Sequence, residues 1–111
     1  MRSYRIDELQ PTDVVRLGKA LEARDMKSTM DDIYWLDLPR DLYSEEQRAH
    51  CQECGPYSVG VETGEDWIGV EFLVRARNRM RCSCVCYASP AQRNFVINEI
   101  DRTMRELDIP V

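Results

Sequence analysis

Apolar residues recur along the chain with two different periods, and these periods predict its secondary structure. Spacings of three and four residues, which place side chains on one side of a helix, occur towards both ends of the chain. Alternation, which is typical of half-buried strands, occupies the middle. The predicted elements are a helix at 12–26, a strand at 33–38, a short helix from Glu45 to the Gly55-Pro56 stop, strands at 57–63, 68–76 and 80–88, and a helix from Ser89 to Leu107.

Two polar pairs mark where the second and third predicted helices begin. Ser44 is followed three residues later by Gln47, and Ser89 is followed by Gln92. Such a pair forms a capping box, in which each side chain bonds the backbone N–H of the other residue. The order α-β-α-β-β-β-α predicts an α+β fold, a two-layer sandwich with an antiparallel β-meander of three or four strands packed against helices. The position of strand 33–38 in the sheet stays open.

The composition fits a single α+β domain over residues 1–111. The chain is 43% hydrophobic and 32% charged, which is typical of a globular protein. It contains no stretch of the ~20 apolar residues that a membrane span needs, and its first ten residues lack the apolar core of a secretory signal. We therefore expect a cytoplasmic protein with no membrane partner. Disulfides are rare in the cytoplasm, and the odd number of five cysteines agrees with this location.

Three cysteines alternate with other residues in the predicted strand 80–88, so they share one face of the sheet. If residues 77–79 form the preceding turn, three facing pairs result, namely Val74 with Cys82, Phe72 with Cys84 and Val70 with Cys86. Free cysteine packs as a small hydrophobe and is among the most buried residue types. We therefore favour the interpretation that these three cysteines fill the core.

A metal site is an alternative interpretation of the cysteines. Cys51 and Cys54 are separated by two residues and followed by Gly55, as in the tight turn that supplies two thiolates to a zinc ribbon. His50 and Cys82 are the candidates for the remaining two positions. Same-face neighbours on a regular strand lie ~6.6 Å apart, so two strand cysteines converge on one ion only at a bend or bulge. Zinc is therefore an optional cofactor, and no cofactor is required.

Thiol-redox chemistry at Cys51 and Cys54 is a further alternative. Reactive CxxC pairs gain thiolate character at a helix N-terminus, whereas this pair falls at a predicted helix C-terminus, where the dipole opposes negative charge. The chain contains no phosphate-binding loop, no HExxH motif, no GxSxG motif and only one histidine. We therefore assign no catalytic residue and favour a non-enzymatic role.

Charge is distributed unevenly along the chain, whose net charge is −5. Residues 72–98 contain no acidic side chain, and four arginines surround the predicted hairpin: Arg75, Arg77, Arg79 and Arg81. This hairpin is a candidate site for an anion or an acidic partner. Nucleic acid is a poor candidate, because the pI of about 4.9 lies far below that of typical nucleic-acid-binding modules. The alternative is that the arginines pair with carboxylates on neighbouring elements.

The sheet face opposite the predicted core is partly apolar. Four apolar residues alternate there with four polar ones: Trp67, Leu73, Val85 and Tyr87 with Glu71, Arg75, Arg81 and Ser83. One interpretation, slightly preferred, is that the helix at 12–26 covers this face. The other is that the face binds a protein partner, with a homodimer as one option.

Several segments together resemble a group of short uncharacterised bacterial proteins of unknown function. They are "IYWLDLP", "CGP", "EFLVRARNRMRCSC" and "YASPAQR", and the resemblance runs over about residues 31–107. It implies a bacterial cytosolic domain and transfers no site residues. We expect a small binding or regulatory module that acts through the outer sheet face and the arginine-rich hairpin. The alternatives are a zinc-stabilised domain and a thiol-redox protein.

Overall fold

Three helices pack on one face of an antiparallel sheet in the computed structural model of the chain, which describes residues 2–24, 26–79 and 82–110. The strands are β1 (Ser3–Ile6), β2 (Ile33–Asp37), β3 (Tyr57–Thr63), β4 (Ile68–Glu71), β5 (Leu73–Ala76) and β6 (Cys86–Tyr87), and the helices are α1 (Pro11–Ala23), α2 (Glu45–Cys54) and α3 (Pro90–Glu106). The predicted α+β two-layer sandwich and the order of its elements are confirmed, with one short strand, β1, added at the front. Met80 and Arg81, at the start of the predicted strand 80–88, lie outside the described residues.

The two predicted capping boxes are present at the starts of α2 and α3. The Gln47 N–H donates to Ser44 Oγ at 3.2 Å, the Ser44 N–H donates to Gln47 Oε1 at 2.9 Å, and Ser89 and Gln92 repeat the arrangement. The same two glutamines are buried and meet, since Gln92 Nε2 donates to Gln47 Oε1 at 2.9 Å. The caps therefore also fix how α2 packs against α3. None of the described helices is long and apolar enough to cross a membrane.

The central strand of the sheet is β3, which pairs with β2 along one side and with β4 and β5 along the other. In the β2–β3 register Tyr34 lies opposite Val61 and Leu36 lies opposite Val59, so apolar side chains of both strands share one face. Strand β1 pairs with β4 and β6 pairs with β5, which places both short strands along the same edge. The position of β2, which the sequence left open, is therefore the opposite edge of the sheet.

The predicted strand 68–76 is interrupted at Phe72, which separates β4 from β5. Val61 lies opposite Val70 in β4, whereas Ser58 lies opposite Arg75 in β5. Between these two pairs, the two residues 59–60 of β3 stand against the four residues 71–74 of the partner strand. Extra residues of this kind form a bulge that bends the strand. Because the number of inserted residues is even, Phe72 and every second residue after it still face the core.

Helix α1 lies on the core face of the sheet and leaves the outer face uncovered. A Cβ atom added to Gly18 would stand 2.8 Å from Tyr34 Oη, so the helix backbone approaches this side chain closely. Tyr34 and Leu36 belong to the single hydrophobic cluster between sheet and helices, whereas Trp35 between them points to the other side. The expectation that the helix at 12–26 covers the outer face is therefore wrong.

The predicted strand 80–88 is wrong over most of its described length. Only Cys86 and Tyr87 form a strand, and the β5–β6 register places Val74 opposite Cys86 instead of Cys82. Cys86 is exposed and Cys82 is half-buried, so Cys84 alone of the three is fully buried in the core. The reason is that the chain after β5 bonds to the end of α2 instead of turning back along β5.

Candidate functional site

The last turns of α2 present one histidine and one cysteine on the same side of the helix. His50 and Cys54 are four residues apart, and residues at this spacing lie one above the other on a helix surface. The helix ends at Gly55, where a Cβ atom would stand only 2.8 Å from the Cys51 carbonyl oxygen. The Cys54 side chain is buried and the His50 side chain is half-buried. The end of α2 therefore offers a sulfur and an imidazole side by side.

The β5–β6 connection, of which the structure describes residues 77–79 and 82–85, bonds to the carbonyl groups at the end of α2. The Asn78 N–H donates to the Cys54 carbonyl at 3.1 Å, and the Asn78 side chain donates to the Gly55 carbonyl. The Arg77 N–H donates to the Pro56 carbonyl at 3.0 Å. Carbonyls at a helix C-terminus have no partner within the helix, so these bonds satisfy groups that would otherwise stay unpaired. They hold the connection against α2.

A tight turn from Cys82 to Val85 then presents the Cys82 thiol to the helix. The Val85 N–H donates to the Cys82 carbonyl at 3.1 Å, which closes the turn. Cys82 Sγ lies 3.4 Å from His50 Nδ1. The ligand atoms of His50, Cys54 and Cys82 all lie within 4.8 Å of one another. We name these three residues the thiol–imidazole cluster.

Three of the four candidate metal ligands are thus brought together, and the fourth is not. Cys51 lies on α2 outside the thiol–imidazole cluster. The zinc-ribbon pattern pairs Cys51 with Cys54 in a turn, but both residues lie in a helix, where the four-residue spacing from His50 places the imidazole beside Cys54. Cys84, which alternation assigns to the core, is fully buried there and is not part of the cluster.

The thiols at the site differ in how readily they lose a proton. Burial raises the pKa of Cys54, and it raises the pKa of Cys84 to about 12. The pKa of Cys82 is instead lowered to about 7, first by a hydrogen bond from the Cys84 N–H and then by the neighbouring thiols and the His50 imidazole. Cys82 is therefore the thiol of the cluster that ionises near neutral pH.

The donor atoms of the cluster suit a zinc-type metal ion. Thiolate sulfur and imidazole nitrogen are the usual ligands of tetrahedral zinc, with Zn–S and Zn–N distances of ~2.3 Å and ~2.0–2.1 Å. Ligand atoms around such an ion lie ~3.5–4 Å apart. Because the cluster atoms already lie within 4.8 Å of one another, small side-chain movements are sufficient to hold the ion. The negative end of the α2 dipole also favours a cation here.

The described candidate arginines each pair with a carboxylate of the same chain. The pairs are Arg75–Glu71 at 3.4 Å, Arg77–Asp37 at 3.3 Å and Arg79–Glu53 at 3.3 Å. All three pairs are largely exposed to solvent, so each stabilises the fold by ~1 kcal/mol or less. Arg81 lies outside the described residues. The described part of the hairpin therefore carries compensated positive charge.

The outer face of the sheet holds a trough of 430 Å³ between two tryptophans. Gly60 and Gly69 lie on this face, where a Cβ atom would stand 3.7 Å from the Trp35 ring and 3.3 Å from the Trp67 ring, respectively. The guanidinium of Arg5 lies 4.1 Å from the centre of the Trp67 ring, within the range of a cation–π contact. None of the described helices covers the trough, so it is open to a ligand or a partner.

Comparison with known proteins gives no relative from which a function can be carried over. No family model matches the chain, and no curated protein and no solved structure matches it. Any function assigned to the chain therefore rests on its own residues.

In the metal-free protein, Cys82 should react with iodoacetamide before the other cysteines at neutral pH. Its pKa of about 7 gives a large thiolate fraction at that pH, and its side chain is only half-buried. Cys86 is the matched control, because it is more exposed but has a pKa raised by partial burial of its sulfur and by Glu46. Mass-spectrometric mapping should show the labelling of Cys82 increase as the pH rises through about 7. Faster labelling of Cys86 than of Cys82 at neutral pH would contradict this geometry.

Proposed function

We propose that the chain is a small zinc-binding domain in which the ion joins the end of α2 to the β5–β6 connection. The observation that carries this proposal is the thiol–imidazole cluster. His50, Cys54 and Cys82 come from two separate segments, and their ligand atoms lie within 4.8 Å of one another. Cysteines that only fill a core do not require an imidazole nitrogen 3.4 Å from a sulfur.

Electrostatics supports a cation at this position. The carbonyl groups at the end of α2 carry partial negative charge. Each thiol of the cluster that ionises adds one full negative charge. Buried thiols therefore resist ionisation, in agreement with the raised pKa of Cys54. A divalent ion displaces the thiol protons and compensates the charge that their loss creates.

The donor types favour zinc over the other common divalent ions. Sulfur and imidazole ligands select zinc, whereas magnesium and calcium prefer oxygen ligands. The proposed role of the ion is to stabilise the fold by tying α2 to the connection that leads into β6. Because an unfolded chain holds no preformed site, the free energy of zinc binding adds directly to the free energy of folding.

Thiol-redox chemistry is the competing function for the same residues. Cys54 and Cys82 lie close enough to form a disulfide with each other while they reduce an external disulfide, and Cys82 ionises near neutral pH. Zinc binding and disulfide formation exclude each other, because both use the same two sulfurs. Two features favour zinc: a dithiol does not need the third donor that His50 supplies, and Cys54 is fully buried away from an external disulfide.

Removal of zinc should lower the melting temperature of the domain by roughly 10 °C or more. An ion present at about 100 times its dissociation constant stabilises a fold by ~2.7 kcal/mol, and ~1 kcal/mol corresponds to about 4 °C or more in a domain of about 100 residues. The measurement is thermal unfolding, followed by circular dichroism, in the presence of zinc and in the presence of a chelator.

The variants of the cluster provide the controls for this measurement. His50→Ala, Cys54→Ser and Cys82→Ser should each remove most of the zinc-dependent change in melting temperature. Cys86→Ser should behave as the wild type does, because Cys86 is exposed and lies outside the cluster. A wild-type melting temperature that responds neither to zinc nor to chelator would rule out the proposed zinc site.

We also propose, as a second candidate function, that the outer face of the sheet binds a second copy of the chain. The trough between Trp35 and Trp67 favours this, because no described helix covers it and Met30 at its rim is 61% exposed. Charges of both signs line the trough: Arg5 and Arg75 together with Glu62 and Glu71. A two-fold dimer places a surface against itself, so a face that carries both signs can pair its own charges.

Self-association should be measurable by sedimentation velocity over a range of protein concentrations. Met30→Glu should weaken the dimer by about tenfold or more, because it places an unpaired charge in the trough. Val15→Glu is the matched control, since Val15 is similarly exposed at 57% but lies on α1, on the other side of the sheet. A wild-type chain that stays monomeric at every concentration would rule out this second candidate and leave the zinc site unaffected.

A further inference from the structure

We infer that Cys54 and Cys82 form a peroxide-sensitive pair, whose oxidation to a disulfide releases the zinc ion. The inference rests on the proposed zinc site and adds to it a covalent modification that controls whether the ion is bound. Zinc itself has no redox chemistry, but its thiolate ligands can be oxidised. Because a sulfur in a disulfide no longer carries the negative charge that binds the ion, the pair holds either the zinc or the disulfide.

The two sulfurs lie close enough to form this bond. The Sγ atoms of Cys54 and Cys82 lie within 4.8 Å of each other, and a disulfide holds its sulfurs ~2.0 Å apart, so they need to approach by less than ~3 Å. Cys82 lies in a turn of the β5–β6 connection, outside the helices and strands. This turn can therefore move towards α2 without breaking a strand pair.

Burial gives the two thiols different roles in the oxidation. Cys82 is half-buried, so a small oxidant from the solvent reaches its sulfur, whereas Cys54 is 0% exposed. Cys82 is therefore the thiol that attacks the peroxide, and Cys54 is the resolving thiol that closes the disulfide. The burial that keeps Cys54 away from an external disulfide does not oppose this reaction, because Cys54 reacts only with its neighbour Cys82.

The reaction consumes one hydrogen peroxide and two protons from the solvent. The Cys82 sulfur attacks one peroxide oxygen and becomes a sulfenic acid, the O–O bond breaks, and the other oxygen takes up a proton and leaves as water. The Cys54 sulfur then attacks the Cys82 sulfur, the S–O bond breaks, and the second oxygen takes up a proton and leaves as water. The two sulfurs lose two electrons, the peroxide gains them, and the zinc leaves as the divalent ion.

The disulfide joins the same two segments that the zinc ion joins, namely α2 and the β5–β6 connection. Oxidation therefore empties the metal site without freeing the connection from the helix. The other candidate pairs do not have this property. Cys51 lies on α2 as Cys54 does, so a disulfide between these two residues ties no second segment to the helix. Cys86 is exposed in β6 and lies outside the thiol–imidazole cluster.

The test treats the zinc-loaded wild-type chain with a small excess of hydrogen peroxide and measures released zinc with a coloured chelator. Trypsin cleaves after Arg48 and Arg81, which places Cys54 and Cys82 in separate peptides, so mass spectrometry without reduction detects the linked pair. We expect one zinc released for each Cys54–Cys82 disulfide formed, and renewed zinc binding after treatment with a thiol reductant. Zinc that stays bound, or a released zinc accompanied by a different disulfide, would overturn the inference.

A control variant and the zinc content before oxidation separate this inference from the proposed zinc site. Cys51→Ser/Cys86→Ser retains both members of the pair and should release zinc as the wild type does. A double variant that binds zinc but keeps it under peroxide would assign the switch to Cys51 or Cys86 and overturn the inference. A wild-type chain that binds no zinc before oxidation removes the proposed function and the switch together, whereas one that binds zinc and keeps it under peroxide removes the switch alone.

Discussion

The docking of the β5–β6 connection on the end of α2 determines where the cysteines at its far end lie. Arg77 and Asn78 bond carbonyl groups at and just beyond the end of the helix, and a buried carbonyl left unpaired costs roughly 1–3 kcal/mol. Arg77 and Asn78 satisfy these groups directly after β5, and none of the described residues between β5 and β6 (77–79 and 82–85) forms a strand. Cys82 accordingly meets His50 and Cys54 of the helix instead of pairing along β5.

Local signals are sufficient for the helices and the central strand of this fold, and they are insufficient for strand register. The capping boxes at Ser44 and Ser89 join residues three apart, and the alternation in β3 follows from burial of one sheet face. Strand β1 escapes detection because its four residues include only two partly buried apolar side chains, Tyr4 and Ile6. The register of β6 depends on bonds to a helix far away in the sequence, and no local pattern records such a contact.

The candidate site also has a part that local sequence signals predict and a part that depends on the folded structure. Residue type and spacing are sufficient to nominate His50, Cys54 and Cys82 as ligands. Whether Cys51 joins them depends on whether residues 51–54 form a turn or the end of a helix. Cys82 joins the site because residues 82–85 form a turn, which the bond from Val85 to the Cys82 carbonyl closes, whereas Cys84 in the same turn is buried in the core.

The thiol–imidazole cluster lies on the helix side of the sheet, and the trough lies on the other side, so the ion and a partner do not compete for the same surface. Native mass spectrometry of the purified wild-type chain tests the proposed zinc site most directly, because it weighs the bound metal on the folded protein. We expect one zinc ion per chain, and its loss when Cys54 or Cys82 is replaced by serine. A folded wild-type chain that carries no metal after purification with zinc present would contradict the zinc site.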